Sequence, residues 1–286
     1  MRKNAIYYAM IAPALLLSVS VVLVPAVMTV YVSFTDWNGI SANMNWVGTE
    51  NYATLFKDDV FRKALQNNIL WMVMFLTIPV FVAFSTALIL LNRQKTRNLY
   101  QTFYLFPYVL AAITNALLWL NMIYSPIVGL IAWLKRQGLQ VTSPLGQVDT
   151  ALYGVAVVDM WRFWGFLAVI YLAALRQTPR EQVESAQVEG ANAIQLVRYV
   201  YLPNIMPVMR LMFAMIVITS FLTFDYIYLI TAGGPAHATE MLSTIAYTLA
   251  FQVLKVGRAS AVSVIISLFG LVAAIIYVRA TVKETS

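Results

Sequence analysis

One stretch of the chain combines opposite charges and aromatic rings within a mostly apolar segment. Asp159 and Arg162 lie three residues apart, so on a helix they share one side and can partly neutralise each other. Phe163 and Phe166 follow Asp159 at intervals of four and seven residues, which adds them to the same stripe. Aromatic faces stack on the apolar face of a ring, while a carboxylate accepts hydrogen bonds from hydroxyl groups. The stripe therefore suits a solute that is polar and ring-shaped.

A simpler structural role for these residues stays open. An ionised side chain at mid-membrane costs about 2.5 to 3.5 kcal/mol, so it faces protein or water. Asp159 and Arg162 form either an ion pair that fastens two helices or part of a solute pathway. Ser220 and Thr223, also three residues apart, can supply hydroxyls to that pathway or make ordinary helix–helix hydrogen bonds.

The composition indicates that these charges lie in a membrane. Of 286 residues, 61% are hydrophobic and 11% charged, whereas soluble domains carry about 25% charged residues. Cysteine is absent, which excludes disulfides and thiolate metal sites. The single histidine, His237, cannot form a metal cluster by itself and is interpreted as an ordinary loop residue. We therefore predict no metal site.

The hydropathy pattern predicts an all-α polytopic membrane protein that forms one transmembrane domain over residues 1–286. A bilayer core of about 30 Å needs about 20 apolar residues in a helix. Six stretches satisfy this requirement, and the predicted spans are residues 9–34, 68–92, 102–124, 152–175, 205–230 and 259–279. Prolines fall within or at the ends of these spans, so we expect bent helices; they are Pro13, Pro25, Pro79, Pro107 and Pro207.

The distribution of basic residues predicts the orientation. With the N-terminus inside, the cytoplasmic segments hold eleven lysines and arginines and the outer segments hold seven. The positive-inside rule then places both termini in the cytoplasm. The net charge of +7 is explained by basic residues on the cytoplasmic side of the membrane, so it does not require nucleic acid as a partner.

The segments between spans have helical patterns and turn signals of their own. Amphipathic spacing over residues 46–68 predicts a surface helix on the outer face, and residues 127–139 predict another that ends at Gly138. Residues 231–239 contain Gly-Gly-Pro, which a helix cannot continue, so they predict a chain reversal.

Residues 178–203, which we call the elbow, predict two capped short helices. Thr178 and Glu181 fit a capping box with Pro179 at the first helical position, and Gly190 fits a left-handed residue after the helix. Asn192 with Gln195 can cap the second helix, whose Ile194, Val197, Val200 and Tyr201 would share a face before Pro203 closes it. The elbow cannot bury its apolar residues on itself, so it either packs under its own bundle or docks on a soluble partner.

The elbow resembles the EAA loop of ABC-importer permeases. That pattern is Glu-Ala-Ala, three residues, Gly, nine residues, Ile-any-Leu-Pro, and Ser185 and Val200 are the two small departures from it here. In the family this loop is the coupling helix that enters a cleft of the ATP-hydrolysing subunit. The resemblance assigns ATPase coupling to Glu184, Ser185, Ala186, Gly190, Leu202 and Pro203.

The outer segments resemble the carbohydrate branch of the same permeases, which includes the maltose and glycerol-3-phosphate types. The similar residues are Trp46-Val47-Gly48, Glu50-Asn51-Tyr52, Phe61 through Asn67, and Gly233-Gly234-Pro235 followed by Thr239, Tyr247, Ala250-Phe251 and Gly257. The resemblance implies a type I ABC-importer permease fold in a bacterial inner membrane. It also implies three kinds of partner, namely a second homologous permease subunit, two ATP-binding cassette subunits and an extracytoplasmic solute-binding protein. An outer gate or binding-protein contact would involve Asp225, Gly233, Gly234 and Pro235.

The sequence contains no P-loop pattern, so this chain is not expected to hydrolyse ATP or to hold a cofactor. The resemblance implies that ATP and Mg²⁺ bind the partner ATPase. We therefore predict half of the translocation pathway of an ATP-driven importer for a sugar, oligosaccharide, polyol or glycerol phosphate. The alternative is a secondary carrier that couples transport through intramembrane carboxylates such as Asp159.

Overall fold

The computed structural model describes residues 2–93 and 95–285, which are largely helical. The α-helices in this part of the chain are α1 (Arg2–Leu17), α2 (Val24–Val32), α3 (Glu50–Lys57), α4 (Asp59–Leu91), α5 (Arg97–Val109), α6 (Ala112–Leu118), α7 (Leu130–Arg136), α8 (Ala151–Leu175), α9 (Arg180–Val188), α10 (Ala193–Leu196), α11 (Leu202–Leu222), α12 (Asp225–Ile230), α13 (Leu242–Tyr247) and α14 (Val256–Thr285). No β-strand forms among these residues, and one isolated antiparallel bridge joins Thr35 to Trp46. The predicted all-α class is confirmed.

Short π-helical segments join several helices into longer ones. Ser18–Leu23 connects α1 to α2, and Val197–Tyr201 connects α10 to α11. Five helices among the described residues are long and apolar enough to cross a membrane: Met10–Val32, Asp59–Leu91, Ala151–Leu175, Ala193–Leu222 and Val256–Thr281. A sixth span results if the bent pair Arg97–Val109 and Ala112–Ile123 counts as one. The placement of both termini in the cytoplasm stays a prediction.

The predicted span 102–124 is sharply bent in its middle. The chain is extended at Leu110 and Ala111, with ψ angles of 138° and 143°, and the two helices on either side meet at 98°. The halves have different packing partners. The first half lies so close to α8 that a Cβ on Gly165 would overlap the carbonyl of Tyr104. The second half bonds to α12, and the bend allows both contacts.

The predicted span 205–230 is also interrupted. Helix α11 ends at Leu222, and Thr223 is non-helical with ψ 119° before α12 begins. Side chains occupy the carbonyls that a continuing helix needs: Asn68 Nδ2 donates to the Ser220 carbonyl at 2.7 Å, and the Ser243 hydroxyl donates to the Thr223 carbonyl. These bonds supply partners for carbonyls that the end of α11 leaves without a helical amide.

Proline does not close the second elbow helix, contrary to prediction. The helix runs on from Ala193 to Leu222, through Pro203 and Pro207. The π segment Val197–Tyr201 comes directly before Leu202-Pro203, and such local adjustments let membrane helices accommodate proline.

The described chain divides into two compact units, whereas the sequence predicts one domain. The first comprises residues 1–62 and 245–268, and the second comprises residues 63–244 and 269–286. In the first unit, Asn51 Nδ2 donates to the carbonyls of Ser33 and Thr35 at 2.9 and 2.8 Å. Hydrogen bonds from the Asn45 side chain and backbone lower the pKa of the exposed Asp36 carboxylate. The second unit has its core around α8, whose Leu167 and Tyr171 are fully buried.

The predicted surface helices are shorter than expected. Over residues 46–68 the structure places α3, a single break at Asp58, and then the first turns of the long α4. Leu55 and Phe61 are buried as the amphipathic pattern predicts, but Phe61 already belongs to the long helix. Helix α7 covers only Leu130–Arg136, and Gly138 follows it with the left-handed φ of 85° that its position predicts.

Candidate functional site

A cavity of about 280 Å³ in the second unit collects the residues that the sequence singles out. We call it the polar cavity. All six predicted pathway residues line it, and Asp225 lines it with them; the six are Asp159, Arg162, Phe163, Phe166, Ser220 and Thr223. The other lining residues that matter below are Trp71, Phe75, Tyr108, Thr219 and Tyr226. The structure therefore brings residues of α4, α5, α8, α11 and α12 to one place.

The two helix breaks build this cavity around α8. On α8, helical periodicity alone places Asp159, Arg162 and Phe166 toward the same side. Tyr108 reaches them because α5 ends one residue later, and Tyr226 reaches them because α12 starts after the break at Thr223.

Arg162 is the most highly connected side chain of the cavity. Its Nη2 and Nε atoms lie 2.9 and 3.0 Å from Asp159 Oδ1. Its guanidinium carbon lies 5.2 Å from the ring centre of Tyr108 and 5.5 Å from that of Tyr226. The predicted ion pair forms within one helix, so it does not fasten two helices as one interpretation supposed. The cation–π contacts with α5 and α12 provide that connection.

Aromatic stacking fixes the rest of the lining. Tyr108 stacks on Phe166 with centroids 4.5 Å apart and an angle of 10°. Phe163 lies 5.8 Å from Phe75, and the stacked pair Trp71 and Phe75 extends this wall along α4. These stacking contacts restrict the rotamers of the side chains that line the cavity.

The hydroxyl residues contribute differently from each other. Thr223 donates its hydroxyl to the Thr219 carbonyl at 3.1 Å, in the last turn of α11. Ser220 is buried, and its carbonyl accepts from Asn68. The roles of Ser220 and Thr223 in solute binding stay predictions.

The cavity carries more negative than positive charge. Asp159 is buried, with 7% of its surface exposed, and is bonded to Arg162. Asp225 is exposed at the start of α12. With all three groups ionised, the guanidinium compensates only one of the two carboxylates.

The sequence missed Tyr108 and Tyr226 as lining residues of this cavity, and Asn115 as the residue that holds Tyr226. Asn115 Nδ2 donates to the Tyr226 hydroxyl at 3.0 Å and so joins α6 to α12. No spacing in the sequence signals these contacts, because they depend on the two breaks. The Trp71–Phe75 pair, spaced i, i+4 in an apolar segment, was detectable as an aromatic wall.

The predicted outer-gate residues separate into two places. Asp225 lines the polar cavity, whereas Gly233, Gly234 and Pro235 form the predicted chain reversal and do not line it. Gly233 has φ 87°, and the Gly234–Pro235 peptide is cis. The Asn67 side chain ties the turn to α4 through the carbonyls of Ala238 and Glu240, each at 2.9 Å.

The start of the elbow differs from the predicted capping box. Pro179 is the N-cap residue of α9 and no side chain caps the helix, while the Thr178 hydroxyl is buried without a hydrogen-bond partner. The amide of Thr178 bonds to the Leu175 carbonyl at 3.2 Å, so this residue still belongs to the end of α8. It therefore lies one position too early to cap the next helix.

The end of α9 and the cap of α10 are as predicted. Gly190 has φ 84°, and the amides of Gly190 and Ala191 bond to the carbonyls of Gln187 and Ala186 at 3.0 and 2.9 Å. This is a Schellman motif. Asn192 and Gln195 form a reciprocal capping box, with bonds of 2.8 and 3.0 Å.

The elbow presents apolar side chains to its surroundings. Val188, Ile194 and Tyr199 are 89%, 78% and 68% exposed. The predicted shared face of Ile194 and Val200 is wrong, because the π segment changes the helical register and Val200 is buried. Glu184, in the centre of the resemblance, is exposed and pairs with Arg180 at 2.6 Å. The end of α9 and the start of α10 are therefore held by hydrogen bonds, while apolar side chains of the elbow remain exposed.

These features define a class of protein. Membrane-length helices, two of them broken around a cavity of aromatic and charged residues, are typical of transport proteins. Residues 61–280 match the family described as "Binding-protein-dependent transport system inner membrane component". The chain belongs to this family, whose members are components of transport systems and not catalysts.

Individual relatives match nearly the whole chain. A probable ABC transporter permease protein of Pyrococcus horikoshii is 30% identical over 272 residues, which cover 93% of this chain and 91% of the relative. A probable starch degradation products transport system permease protein of Thermoanaerobacterium thermosulfurigenes is 30% identical over 283 residues, 99% of this chain and 96% of the relative. These similarities confirm the resemblance to ABC-importer permeases.

A solved structure shows the same fold. The crystal structure of a bacterial ABC transporter involved in the import of the acidic polysaccharide alginate contains a chain with a TM-score of 0.85 and 22% identity to this one. The match covers 100% of this chain and 98% of that chain. The expected type I ABC-importer permease fold is thereby confirmed.

Proposed function

We propose that this chain is a permease subunit of an ATP-driven, binding-protein-dependent importer for a saccharide. The observation that carries the proposal is the elbow, in which capped helix ends hold exposed apolar residues within the stretch that matches the EAA pattern. Such a surface fits the groove of a soluble partner. The partner is an ATP-binding cassette subunit, which binds ATP and Mg²⁺, while this chain holds no cofactor.

The assembly consists of two permease subunits, two ATPase subunits and an extracytoplasmic solute-binding protein in an inner membrane. Closure of the ATPase pair draws the two elbows together and opens the cavity outward. Glu184, Ser185, Ala186 and Gly190 contact the ATPase, and Leu202 and Pro203 transmit the movement into α11. The continuous helix from Ala193 to Leu222 supports this role, because it joins the elbow directly to the cavity lining.

The polar cavity supports an uncharged saccharide as the solute. Phe163 and Phe166 offer faces for a sugar ring, and Asp225 offers an acceptor for hydroxyls. An anionic solute would meet two carboxylates against one guanidinium that is already bonded to Asp159. Glycerol phosphate and acidic sugars are therefore disfavoured within the predicted solute classes.

Family membership argues against the secondary carrier, and so does the geometry of its candidate carboxylate. Asp159 is held by Arg162 through two nitrogen atoms, so its charge is compensated in the folded protein. A carrier would need this carboxylate to gain and lose a proton or ion in each cycle.

Two substitutions in the elbow, one that reverses a charge and one that adds a bulky side chain, test the proposal. Glu184→Arg and Gly190→Leu should abolish solute-stimulated ATP hydrolysis by the reconstituted complex, while membrane insertion of this chain remains normal. The leucine also forces a side chain into a left-handed conformation that glycine tolerates. Asp149→Arg, an exposed charge reversal before α8, is the matched control and should retain activity. Full stimulation in both elbow variants would refute the coupling role.

A further inference from the structure

Two neighbouring asparagines of α4 hold the segment that follows α12. We call residues 231–244 the outer turn segment, because the predicted topology places them outside the membrane. Asn67 Nδ2 donates to the carbonyls of Ala238 and Glu240. Asn68 Oδ1 accepts from the amide of Leu242 at 2.9 Å. Asn67 and Asn68 are 2% and 0% exposed, so these bonds are shielded from water and hold the segment firmly to α4.

Asn68 also bonds to the break that ends α11. Its Nδ2 donates to the Ser220 carbonyl at 2.7 Å, while its Oδ1 holds the amide of Leu242. An asparagine amide carries its acceptor and its donor in one rigid plane. A single buried side chain therefore fixes the position of Ser220 relative to Leu242.

The next residue of the outer turn segment makes a second connection to the same break. The Ser243 hydroxyl donates to the Thr223 carbonyl. Ser220 and Thr223 both line the polar cavity. The part of α11 that lines the cavity is thus bonded to α4 and to the outer turn segment at two carbonyls.

The outer turn segment is itself stiffened by hydrogen bonds. The Thr239 hydroxyl bonds to the Gly234 carbonyl at 2.8 Å, and the Thr244 hydroxyl bonds to the Glu240 carboxylate. Thr239 and Thr244 are buried, whereas His237 lies on the exposed side of the turn. Closely packed, hydrogen-bonded regions transmit strain and do not absorb it. A displacement at His237 should therefore reach the buried end of the segment.

We propose that Asn68 is a positioning residue through which the outer turn segment sets the geometry of the α11 break and so of the polar cavity. A protein that binds near His237 would displace the segment, and the shared amide would carry that displacement to Ser220. The proposal rests on the proposed function for the identity of that protein, which is the solute-binding protein. The connection within this chain does not depend on it.

Thiol labelling of the full chain in lipid nanodiscs measures this connection. Because the chain has no cysteine, Thr223→Cys gives a single thiol at the break, and its rate of reaction with a water-soluble methanethiosulfonate reports access to the cavity. Asn68→Leu keeps the size of the side chain but frees the break, so the rate should rise about threefold or more. Ser243→Ala, a smaller change that removes the bond to the Thr223 carbonyl, should also raise it.

Matched controls separate positioning from general loosening of the protein. Thr77→Val removes a hydroxyl of α4 that bonds only within its own helix, so it should leave the rate at position 223 unchanged. A thiol at Gln147→Cys, in an exposed position before α8, should react at the same rate with and without Asn68→Leu.

A double-variant cycle tests whether the outer turn segment acts through Asn68. Thr239→Val loosens the turn and should raise the labelling rate at position 223, but it should add little in the Asn68→Leu background. An equal effect of Thr239→Val in both backgrounds would overturn the proposal, as would an unchanged rate in both Asn68→Leu and Ser243→Ala. Because no ATPase, solute or binding protein takes part, the outcome is independent of the test of ATPase coupling.

Discussion

The guanidinium of Arg162 contacts a carboxylate on its own helix and aromatic rings on two others. Lysine could supply the charge but not the planar group that bonds Asp159 through two nitrogens and also stacks on rings. The residue therefore serves both as counter-charge for Asp159 and as the link between the ends of two broken helices.

Removing one member of this pair should cost more than removing both. Arg162→Gln leaves the buried carboxylate of Asp159 uncompensated, which should lower the free energy of unfolding by about 3 to 5 kcal/mol. The double variant Arg162→Gln, Asp159→Asn should recover most of that loss. Thermal unfolding in detergent, followed by circular dichroism, measures both. A double variant less stable than either single variant would show that the pair does not interact as described.

The broken helices explain why the site could be predicted only in part. The stripe of Asp159, Phe163 and Phe166 was readable because α8 is regular and its period fixes which residues share a side. Tyr108 and Tyr226 were not readable, because each reaches the cavity only through a break. Those breaks depend on contacts distant in sequence, such as that between Asn68 and the Ser220 carbonyl.

The helix ends of the elbow were also predicted only in part. The capping box of Asn192 and Gln195 and the left-handed Gly190 involve neighbours in sequence, and both were predicted correctly. Thr178 has the right residue type and spacing, but the preceding helix retains it in its last turn. Local patterns thus identified the caps formed by residues close in sequence. They did not show that α8 would keep Thr178 in its last turn and so prevent it from capping α9.

The packing of α5 on α8 depends on one glycine. A Cβ at position 165 would overlap the Tyr104 carbonyl, so Gly165→Ala should lower the free energy of unfolding by about 1 to 3 kcal/mol. Gly270→Ala on α14 is the matched control, since no atom lies within 4 Å of its added Cβ. It should be neutral or stabilise the helix by up to about 1 kcal/mol. Thermal unfolding of the two variants side by side checks this, and equal stability would argue against close packing at Gly165.

At the scale of the whole molecule, much apolar surface is left uncovered by the chain itself. The most apolar stretch of Met10–Val32 contains no buried residue, although that helix is long enough to cross a membrane. Lipid and a second permease subunit are the surroundings that the proposed assembly provides for such a surface. The elbow adds exposed apolar residues on a different part of the chain, which the proposed ATPase would cover.

The central claim is that force from a separate ATPase enters this chain through the elbow, and a cross-link tests it most directly. The chain has no cysteine, so Val188→Cys, at the most exposed apolar position of α9, gives a single reactive thiol. In native membranes a short bifunctional reagent should join it to an ATP-hydrolysing subunit, while Gln147→Cys before α8 should give no such product. Cross-links from position 188 to other parts of this chain or to other membrane helices alone would contradict the account.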